Sequence, residues 1–419
     1  TPRNVTLNAE LMYEEKSKTY IDVSDDITFL NENEFIWTSD KDGFKHIYLN
    51  DLNGGSKQIT KGDFDIDQFY GFDRTSKKAF FNAGVERTIE RQVYATDISK
   101  GKLTQLTSGA GWHSAKFISG FKYFLDNHST ADQPSTHTLY TAEGKMVKIL
   151  EDNSKLKNNL QKENLGKSEF GSFKNRYNTK LNYWMLKPAN FDSTKSYPVL
   201  FYVYGGPGYQ TAKNSWGGSN YLWHQYMAQQ GYIIITVNNT GGGARGESFK
   251  KKTYQQLGNY ETQDYIDAAK YFGAKDYINK ERIGIWGWSY GGYMSSNCIT
   301  RGADYFNLAI AVAPVTSWRY YDNIYTERFM RTPQENALGY DTNSPINHIE
   351  KLKGSYLLVH GTADDNVHFQ NATEMMMALN NANIPYESAV YPNRNHGIYG
   401  GKTRLHLFTR LTKFVLENL

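Results

Sequence analysis

The chain has 419 residues, enough for two domains with sizeable cores, and a net charge of only +4 at pH 7. Its positive charges are scattered, which argues against nucleic acid as a partner, and the longest basic run, Lys250-Lys251-Lys252, is interpreted as a solvated helix face. The single cysteine, Cys298, excludes an internal disulfide and is predicted to be buried. No apolar run reaches the ~18 residues that a membrane span needs.

The first 150 residues repeat a pattern of short aromatic and β-branched strands. Ile47-Tyr48, Val93-Tyr94 and Leu139-Tyr140 recur at a spacing of 46 residues, and a glycine turn and an apolar pair follow each of them. A period in the forties is typical of β-propeller blades, of which a closed ring needs at least about four. The sequence therefore predicts an incomplete β-propeller of about three blades over residues 1–165. The alternative is an unrelated meander of hairpins.

From about Phe170 onwards, short apolar strands alternate with helical stretches. Such strands are typical of a parallel sheet that is buried on both faces. The predicted strands are 197–204, 232–237, 283–286, 356–360 and 386–391, and the predicted helices are 260–272, 290–300, 369–381 and 404–416. Residues 166–419 are therefore predicted to form a doubly wound α/β domain with a mainly parallel sheet, and the polar segment 151–167 is predicted to be the linker.

The segment Gly287-Trp288-Ser289-Tyr290-Gly291-Gly292 lies between the predicted strand 283–286 and a stretch of small residues. This order of strand, sharp turn and helix is that of the nucleophile elbow in α/β-hydrolases. The bare Gly-x-Ser-x-Gly pattern arises by chance in roughly one such glycine-rich chain in five. The assignment of a nucleophile elbow therefore depends on the preceding strand and on residues further along the chain.

A serine nucleophile needs a histidine to take its proton and a carboxylate to orient that histidine. In α/β-hydrolases the acid and then the histidine follow the serine, each just past a later strand. Asp364 and Asp365 follow one predicted strand and His396 follows the last, so the candidates are Ser289, one of the two aspartates, and His396. Spacing alone does not choose between the aspartates. Other histidines, none in a loop after the last strand, are His348, His360, His368 and His406.

Two further segments bear on the chemistry. The oxyanion needs preorganised donors, for which the candidates are the Tyr290 amide and the loop after strand 197–204, including the Tyr204 hydroxyl. Tyr204 is alternatively a plain aromatic strand end. Gly241 to Gly246 matches G-x-G-x-x-G, but the next strand ends in the elbow and not in an acidic residue, so this segment is interpreted as a flexible loop. No metal-ligand spacing is found, and the sequence predicts no cofactor and no metal.

Five motifs resemble the dipeptidyl peptidase IV branch of the prolyl oligopeptidase family, with a likeness that runs from about Ile27 to the C-terminus. They are WTSDKDG at 37–43, VYGGPG at 203–208, GWSYGGY at 287–293, YTER at 325–328 and HGTADDNVH at 360–368. The resemblance implies a serine exopeptidase that releases N-terminal dipeptides with penultimate proline or, less readily, alanine. The alternative within the family is a tripeptidyl or acylaminoacyl peptidase. The alternative from another class is an inactive or purely binding remnant that lacks most of the propeller.

The resemblance also implies residue roles. It makes Ser289 the nucleophile, Asp364 the acid and His396 the base, with the Tyr204 hydroxyl and the Tyr290 amide as the oxyanion hole. The implied substrate pocket has Trp288, Val315, Tyr321, Tyr325 and Val367 as apolar walls and Asn366 as a hydrogen-bond partner of a substrate carbonyl. The family further implies peptide substrates, a homodimer, and an exported (periplasmic or secreted) protein.

Two departures from the family pattern stand out. The family binds the substrate ammonium with a glutamate pair and an arginine from the early propeller, a region outside this sequence. Glu14 and Glu15 imitate the pair, but they lie among lysines and only about twenty residues before Trp37, too close to that blade to serve as the anchor. The segment Asn238 to Gly241 lacks the arginine and the acidic residue that are usual there.

Overall fold

The computed structural model describes residues 11–419, so the first ten residues of the predicted propeller segment lie outside the described part. Residues 28–151 form three antiparallel sheets, each with four strands paired in chain order. The strands are β1 (Thr28–Phe29), β2 (Glu34–Ser39), β3 (His46–Asp51), β4 (Ser56–Gln58), β5 (Ile66–Asp73), β6 (Lys78–Ala83), β7 (Gln92–Asp97), β8 (Leu103–Gln105), β9 (Trp112–Phe117), β10 (Tyr123–Thr130), β11 (Gln133–Thr141) and β12 (Met146–Glu151).

These sheets confirm the predicted incomplete propeller. The pairs that recur every 46 residues all fall in the third strand of their sheet, in β3, β7 and β11. The sheets pack on one another through alternating residues of the middle sheet: Phe81 joins Ile36 and Ile47 of the first blade, whereas Phe80 joins Phe124 of the third. Because successive strand residues point to opposite faces, one strand contributes to both blade interfaces.

The predicted linker, 151–167, is partly structured. Its first residue ends β12, and helix α1 (Ser154–Leu160) follows immediately. Asn153 Nδ2 donates to the Ser135 carbonyl at 2.7 Å, and Lys157 Nζ donates to Thr136 Oγ1 at 3.0 Å. The start of the segment is therefore attached to the third blade, and no residue of α1 is buried.

Residues 168–419 form an eight-stranded sheet with helices, in the strand order β13-β14-β16-β15-β17-β18-β19-β20. The first two pairs, β13–β14 and β14–β16, are antiparallel, and the remaining pairs, from β16 to β20, are parallel. The strands are β13 (Ser168–Lys174), β14 (Lys180–Leu186), β15 (Tyr197–Val203), β16 (Ile233–Val237), β17 (Ile278–Trp288), β18 (Leu308–Val312), β19 (Ser355–Gly361) and β20 (Glu387–Tyr391). The helices are α2 (Gly218–Gln229), α3 (Glu247–Lys250), α4 (Asn259–Gly273), α5 (Tyr290–Arg301), α6 (Asn323–Met330), α7 (Ala337–Thr342), α8 (Gln370–Asn381) and α9 (Thr403–Asn418).

The sheet is covered on both faces, as the predicted doubly wound fold requires. In β15, Val199 and Phe201 belong to one core cluster and Leu200 to the other. The expectation that every predicted strand is buried on both faces was wrong for β20, in which only Tyr391 is buried. β20 pairs with β19 alone, so it forms an edge of the sheet.

The interpretation of Lys250 to Lys252 as a solvated helix face was also wrong. Lys251 is only 5% exposed, and its Nζ lies 3.2 Å from Asp40 and 2.8 Å from Glu247. Lys250 Nζ lies 2.7 Å from Asp22 and 3.2 Å from Asp40. We call these two lysines and their two aspartates the lysine latch, because the aspartates lie in the N-terminal part of the chain and the lysines in the hydrolase domain.

Candidate active site

Ser289 stands at a sharp turn between a strand and a helix, as the elbow motif predicts. β17 ends at Trp288 and α5 begins at Tyr290, while Ser289 itself has φ 60° and ψ −119°. A non-glycine residue with such angles carries strain of about 1–3 kcal/mol. The Ser289 amide donates to the Val312 carbonyl at 2.8 Å, and the Ser289 carbonyl accepts from the Tyr293 amide at 3.0 Å. The turn is therefore fixed on both sides, with Ser289 half-buried at its apex.

The glycines around Ser289 are required because other backbone segments pass close to them. A Cβ on Gly287 would lie 2.5 Å from the Val203 carbonyl oxygen, and a Cβ on Gly291 would collide with the same oxygen. A Cβ on Gly292 would lie 2.9 Å from the Val312 carbonyl oxygen. These obstacles are strand backbone atoms that cannot move aside, so only glycine allows the helix to follow the strand this closely.

Asp364 and His396 are brought together by the loops after β19 and β20. His396 Nδ1 lies 2.8 Å from Asp364 Oδ2, whereas the neighbouring Asp365 is exposed. Trp288 Nε1 donates to the His396 carbonyl at 2.9 Å, which attaches the histidine loop to the end of β17. Within residues 11–419 no hydrogen bond joins the Ser289 hydroxyl to His396. Such bonds are often long in enzymes without substrate and shorten in the complex.

The Asp364 carboxylate accepts hydrogen bonds on both oxygens. Oδ1 accepts from the amides of Asn366 at 3.0 Å and Val367 at 2.9 Å, and Oδ2 lies 3.2 Å from Nε2 of the buried His360. Burial alone would raise the pKa of Asp364, but His360 and His396 outweigh it and hold the pKa well below its ordinary value. Asp364 is therefore ionised at neutral pH and can stabilise a protonated His396.

Backbone contacts hold the two loops that carry Asp364 and His396 side by side. The Ala363 amide donates to the Arg394 carbonyl at 3.1 Å. A Cβ on Gly361 would collide with the same Arg394 carbonyl, so the last residue of β19 must be glycine for the loops to meet. The short distance between the acid and the histidine thus depends on this close approach of two chain segments.

The ring of Tyr204, a predicted oxyanion donor, lies beside two other tyrosine rings. The Tyr204 ring centroid lies 5.9 Å from that of Tyr290 and 4.5 Å from that of Tyr209. A Cβ on Gly206 would lie 2.7 Å from the Tyr204 ring, so glycine at this position avoids a clash with the ring. Burial raises the pKa of Tyr204, which keeps its hydroxyl protonated and able to donate.

Four aromatic rings meet beside the elbow. The Trp318 ring lies 5.3 Å from Tyr290, 5.7 Å from Tyr321 and 5.7 Å from Tyr325, and it stacks on Tyr325 at an interplanar angle of 23°. Tyr321 lies just after a short 3-10 helix and Tyr325 lies in α6, so the two tyrosines are not one stripe of a single helix. Flat aromatic faces of this kind suit a proline ring.

Trp318, which is only 2% exposed and stacks on the half-buried Tyr325, was not predicted. A signal for it was available, because positions 318, 321 and 325 are all aromatic at spacings of three and four. The other predicted walls divide between the two faces of the sheet: Val315 and Val367 are buried in the cluster that contains Trp318, whereas Trp288 packs against the other cluster. The structure therefore groups Val315 and Val367, but not Trp288, with the aromatic rings.

Asn366 is exposed beside this aromatic cluster. Its Oδ1 accepts from the Tyr321 hydroxyl at 2.7 Å. Because Oδ1 is engaged in this way, the Nδ2 group is the part of the Asn366 amide that can donate to a substrate carbonyl. The predicted role of Asn366 is compatible with this geometry.

A buried carboxylate that sequence reasoning missed lies behind the elbow. Glu261 Oε1 accepts from the Tyr290 hydroxyl at 2.7 Å and from the Gly258 amide at 3.0 Å, while Oε2 is buried without a partner among residues 11–419. Burial raises the pKa of Glu261 to about 7. The pattern Gly258-x-x-Glu261 signals the start of α4, but only the tertiary fold reveals the contact with Tyr290.

The segment Gly241 to Gly246 is packed, which corrects its interpretation as a flexible loop. Residues 240–242 are buried, and the Thr240 amide donates to Asp264 Oδ2 at 2.6 Å. A Cβ on Gly243 would lie 2.5 Å from the Gly208 carbonyl oxygen. The glycines therefore allow this segment to pass close to the loop after β15.

The carboxylates of Glu14 and Glu15 are engaged by their own neighbours. Glu15 accepts from Trp37 Nε1 at 3.0 Å and from Ser39 Oγ at 2.6 Å, while Glu14 forms an exposed ion pair with Lys16 at 3.0 Å. Glu15 thus fastens the N-terminal segment to β2, and neither carboxylate stands free to bind an ammonium group.

The described part of the chain offers neither a metal-binding cluster nor a membrane-spanning helix. Over residues 11–419, no group of three or more His, Cys, Asp or Glu side chains is placed to hold a metal ion. Over the same residues, no helix combines the length and the apolar character needed to cross a membrane. Cys298 is buried, as predicted, and burial raises the pKa of its thiol.

Three features define an α/β-hydrolase domain. They are the mainly parallel sheet, the strand-turn-helix at Ser289, and the loops that place Asp364 beside His396. Comparison with known families agrees with this class. A model of the prolyl oligopeptidase family matches residues 220–419, and a model of the dipeptidyl peptidase IV N-terminal region matches residues 2–135. The chain belongs to the prolyl oligopeptidase family of serine peptidases, in its dipeptidyl peptidase IV branch.

Individual relatives extend this comparison. The crystal structure of Porphyromonas gingivalis dipeptidyl peptidase 4 superposes with a TM-score of 0.92 at 42% identity, over 96% of this chain and 57% of that one. The mouse (Mus musculus) prolyl endopeptidase FAP is 35% identical over 90% of this chain and 51% of its own length. A probable dipeptidyl-aminopeptidase B of Sordaria macrospora is 35% identical over 86% of this chain and 39% of its own. The chain thus spans about half the length of the relatives it matches.

Proposed function

We propose that this chain carries the catalytic part of a serine peptidase that releases N-terminal dipeptides with proline or alanine in the penultimate position. The observation that carries the proposal is the 2.8 Å contact of His396 Nδ1 with the buried Asp364. The loop that contains His396 is hydrogen-bonded to Trp288, the last residue of β17, which directly precedes Ser289. The half-buried rings of Tyr321 and Tyr325 support the preference for proline, since they offer flat apolar faces, and the buried Trp318 supports Tyr325 by stacking on it.

In the proposed reaction, Ser289 Oγ attacks the carbonyl carbon of the penultimate proline while His396 takes the hydroxyl proton. Asp364 holds the imidazole and stabilises its charged form. The Tyr290 amide and the Tyr204 hydroxyl donate to the developing oxyanion. His396 then protonates the leaving amine, the C–N bond breaks, and a water molecule activated by His396 hydrolyses the acyl-enzyme to free the dipeptide.

The first experiment measures cleavage of a Gly-Pro arylamide by the chain and by Ser289→Ala. We expect loss of at least about a thousandfold in kcat for the variant. Undiminished cleavage by Ser289→Ala would remove the proposed nucleophile. Asp365→Asn, which changes only the exposed neighbour of Asp364, serves as the matched control and should retain activity.

A second measurement separates the dipeptidyl from the tripeptidyl and acylaminoacyl alternatives. Gly-Pro arylamide, its N-acetylated form and a tripeptide arylamide are compared under the same conditions. A dipeptidyl peptidase requires a free amine two residues before the cut, so the N-acetylated substrate should be cleaved poorly. Preferred cleavage of the acetylated or the tripeptide substrate would assign the corresponding alternative.

Reaction with a fluorophosphonate tests the alternative of a binding remnant. An intact serine, histidine and acid should let Ser289 form a covalent phosphonyl adduct, detected by the added mass on the peptide that contains it. Absence of the adduct on folded protein would favour the remnant, even if the chain still bound peptides.

We also propose, from the family resemblance, that the protein forms a homodimer and is exported. An apolar groove between α2 and α9, which includes the exposed side chains of Tyr226, Leu405 and Leu416, supports self-association. Light scattering of the chain and of Leu405→Glu tests it: the chain should dimerise and the variant should not. Fractionation of the source cells tests export.

A further inference from the structure

A cleft of about 370 Å³ lies between the second and third blades and the hydrolase domain. Its lining includes Tyr209, Gln210 and Lys213 on the hydrolase side and Asp67, Arg91 and Trp112 on the propeller side. Tyr209 also packs on Tyr204, with 4.5 Å between ring centroids. The cleft therefore adjoins the loop that carries a predicted oxyanion donor, and a peptide in the active site can extend into it.

Four basic and three acidic side chains line the cleft. The lining carboxylates are all engaged: Asp22 with Lys250 at 2.7 Å, Asp67 with Arg91 at 3.4 Å, and Asp65 with the amides of Lys45 and Gly246 at 2.8 Å each. Lys45 pairs with Asp26 at 3.1 Å. Lys213 is the remaining cation, and over residues 11–419 no carboxylate lies within 4.0 Å of its Nζ.

Lys213 is held between aromatic rings and not by a counterion. Its Nζ lies 5.0 Å from the centroid of Trp112 and 5.5 Å from that of Tyr209. Burial lowers the pKa of Lys213, the nearby Arg91 lowers it further, and Asp67 opposes both. A half-buried cation without a carboxylate partner is costly, and an anion bound beside it would relieve that cost.

The loop that carries Lys213 is fixed before any ligand binds. Asn238 Oδ1 accepts from the amides of Thr211 at 2.9 Å and Ala212 at 2.8 Å. On the other side of Lys213, Asn214 Nδ2 donates to Glu90 Oε1 at 3.0 Å. The cation is thus preorganised, so binding an anion there loses little conformational entropy.

We propose that Lys213 binds a carboxylate on the part of the peptide substrate that follows the cut. This inference rests on the proposed function, which supplies the peptide. Because Lys213 has no carboxylate partner among residues 11–419, it repels a substrate ammonium group placed beside it. The first substrate residue carries that ammonium group and is kept away from Lys213, and the second is proline, so the carboxylate belongs to the leaving peptide. It is either an acidic side chain or the C-terminal carboxylate.

The test compares peptides of the form Gly-Pro-(Xaa)n in pairs that differ by one carboxylate. One set places Glu or Gln at each of the first three positions after proline, with an amidated C-terminus; the other contains only uncharged side chains and has a free or an amidated C-terminus. Each pair competes in one mixture, so the ratio of kcat/KM values is independent of the amount of active protein. In at least one pair we expect the carboxylate peptide to be favoured by about fivefold.

Variants of Lys213 test whether this residue causes the preference for the carboxylate peptide. Lys213→Met should reduce the ratio to about one and Lys213→Arg should retain most of it, while Lys353→Met, which removes an exposed lysine elsewhere, should leave the ratio unchanged. The set that shows the preference identifies the source of the carboxylate. Equal ratios in all pairs, or a preference that survives in Lys213→Met, would overturn the proposal.

A binding measurement keeps this test separate from the proposed activity. The same peptide pairs are titrated by calorimetry into Ser289→Ala and into Ser289→Ala/Lys213→Met. If the chain hydrolyses nothing, tighter binding of the carboxylate peptide to the first variant alone still supports the cleft while the proposed function fails. Equal affinities in both variants would overturn the cleft whether or not the chain is active.

Discussion

Asp364 accepts hydrogen bonds from two backbone amides and faces two histidines, of which only His396 belongs to the proposed reaction. His360 Nε2 lies 2.8 Å from the Val367 carbonyl and 3.2 Å from Asp364 Oδ2, both acceptors, so this nitrogen carries a proton. His360 therefore helps to hold the carboxylate that orients His396. His360 is therefore a positioning residue. Its place in the sequence makes it a weaker candidate for the catalytic base than His396.

Replacing His360 should weaken catalysis without changing substrate binding. His360→Phe removes the donor to Asp364 and should lower kcat about tenfold with little change in KM, the size expected for one hydrogen bond to a charged group. His360→Gln, whose Nε2 can replace that of histidine, should recover most of the activity. The exposed His368→Phe is the control, and equal losses in the Phe and Gln variants of His360 would leave only a packing role.

Glu261 makes the stability of the protein depend on pH near neutrality. Its pKa is raised from 4.5 to about 7 by burial, so at low pH it is protonated in both the folded and the unfolded chain and costs nothing. As the pH rises from about 4.5 to 7, the unfolded chain ionises more readily, and folding loses on the order of 3 kcal/mol. Stability should therefore fall over this interval.

Glu261→Gln should remove that loss. The amide retains an acceptor for the Tyr290 hydroxyl and cannot ionise, so the free energy of unfolding measured with urea should vary less between pH 5 and 8 than in the unchanged chain. The variant should be the more stable of the two at pH 8. The exposed Glu281→Gln is the matched control, and a pH dependence shared by all three proteins would contradict the assignment.

At the scale of single elements, the passage from β17 to α5 tolerates no added atoms. Gly291→Ala would place a methyl group against the Val203 carbonyl oxygen of β15, and we expect a loss of about 1–3 kcal/mol in the free energy of unfolding, together with loss of activity. Gly273 is the last residue of α4, and a methyl group there would meet only side-chain atoms. Gly273→Ala is therefore the control and should be tolerated. Thermal unfolding and arylamide cleavage of both variants measure the contrast.

Elements with local signals were predictable from the sequence. The glycines at 287, 291 and 292, with a strand before them and small residues after them, mark the elbow, and the 46-residue spacing marks the blades. β18 was missed because a five-residue apolar run with two alanines is ambiguous between strand and helix. The edge position of β20 was missed because its burial depends on which strands it pairs with.

Contacts between distant segments were beyond sequence reasoning. The adjacent Asp364 and Asp365 are equivalent by spacing, and only the approach of the two loops distinguishes them. The partnership of Lys251 with Asp40 joins residues more than two hundred positions apart, so the lysine run alone resembled a solvated face. The family resemblance supplied the choice of Asp364, but not the contacts of Glu261, His360 or Lys251.

At the scale of the whole molecule, the lysine latch connects the N-terminal part to the hydrolase domain. Burial alone would raise the pKa of Asp40, but Lys250 and Lys251 outweigh it and lower the pKa. Asp40 thus contributes stability that is fully present above the pKa of the unfolded chain, about 3.9, and is lost as the pH falls through the lower folded value. The contact between the two parts should be firm at neutral pH and weaken in strong acid.

Asp40→Asn should loosen this contact at neutral pH. The change leaves the nearly buried Lys251 with Glu247 as its remaining carboxylate partner, and we expect the free energy of unfolding at pH 7 to fall by about 1–3 kcal/mol. Asp304→Asn, which breaks an exposed pair with Lys353, should change it much less, because exposed ion pairs contribute little to stability. Urea unfolding measures the change in both variants. Equal changes would show that the lysine latch does not stabilise the protein.

The edge position of β20 has a consequence for how the proposed activity is lost on heating. The loop after this strand carries His396, yet β20 is paired on one side only and its first two residues are exposed. Such strands open locally at lower free energy than the core of a sheet. We therefore expect heating to abolish the proposed activity reversibly before the chain denatures, with amides of β20 exchanging hydrogen faster than those of β17. Loss of activity and global unfolding at one temperature would contradict this order.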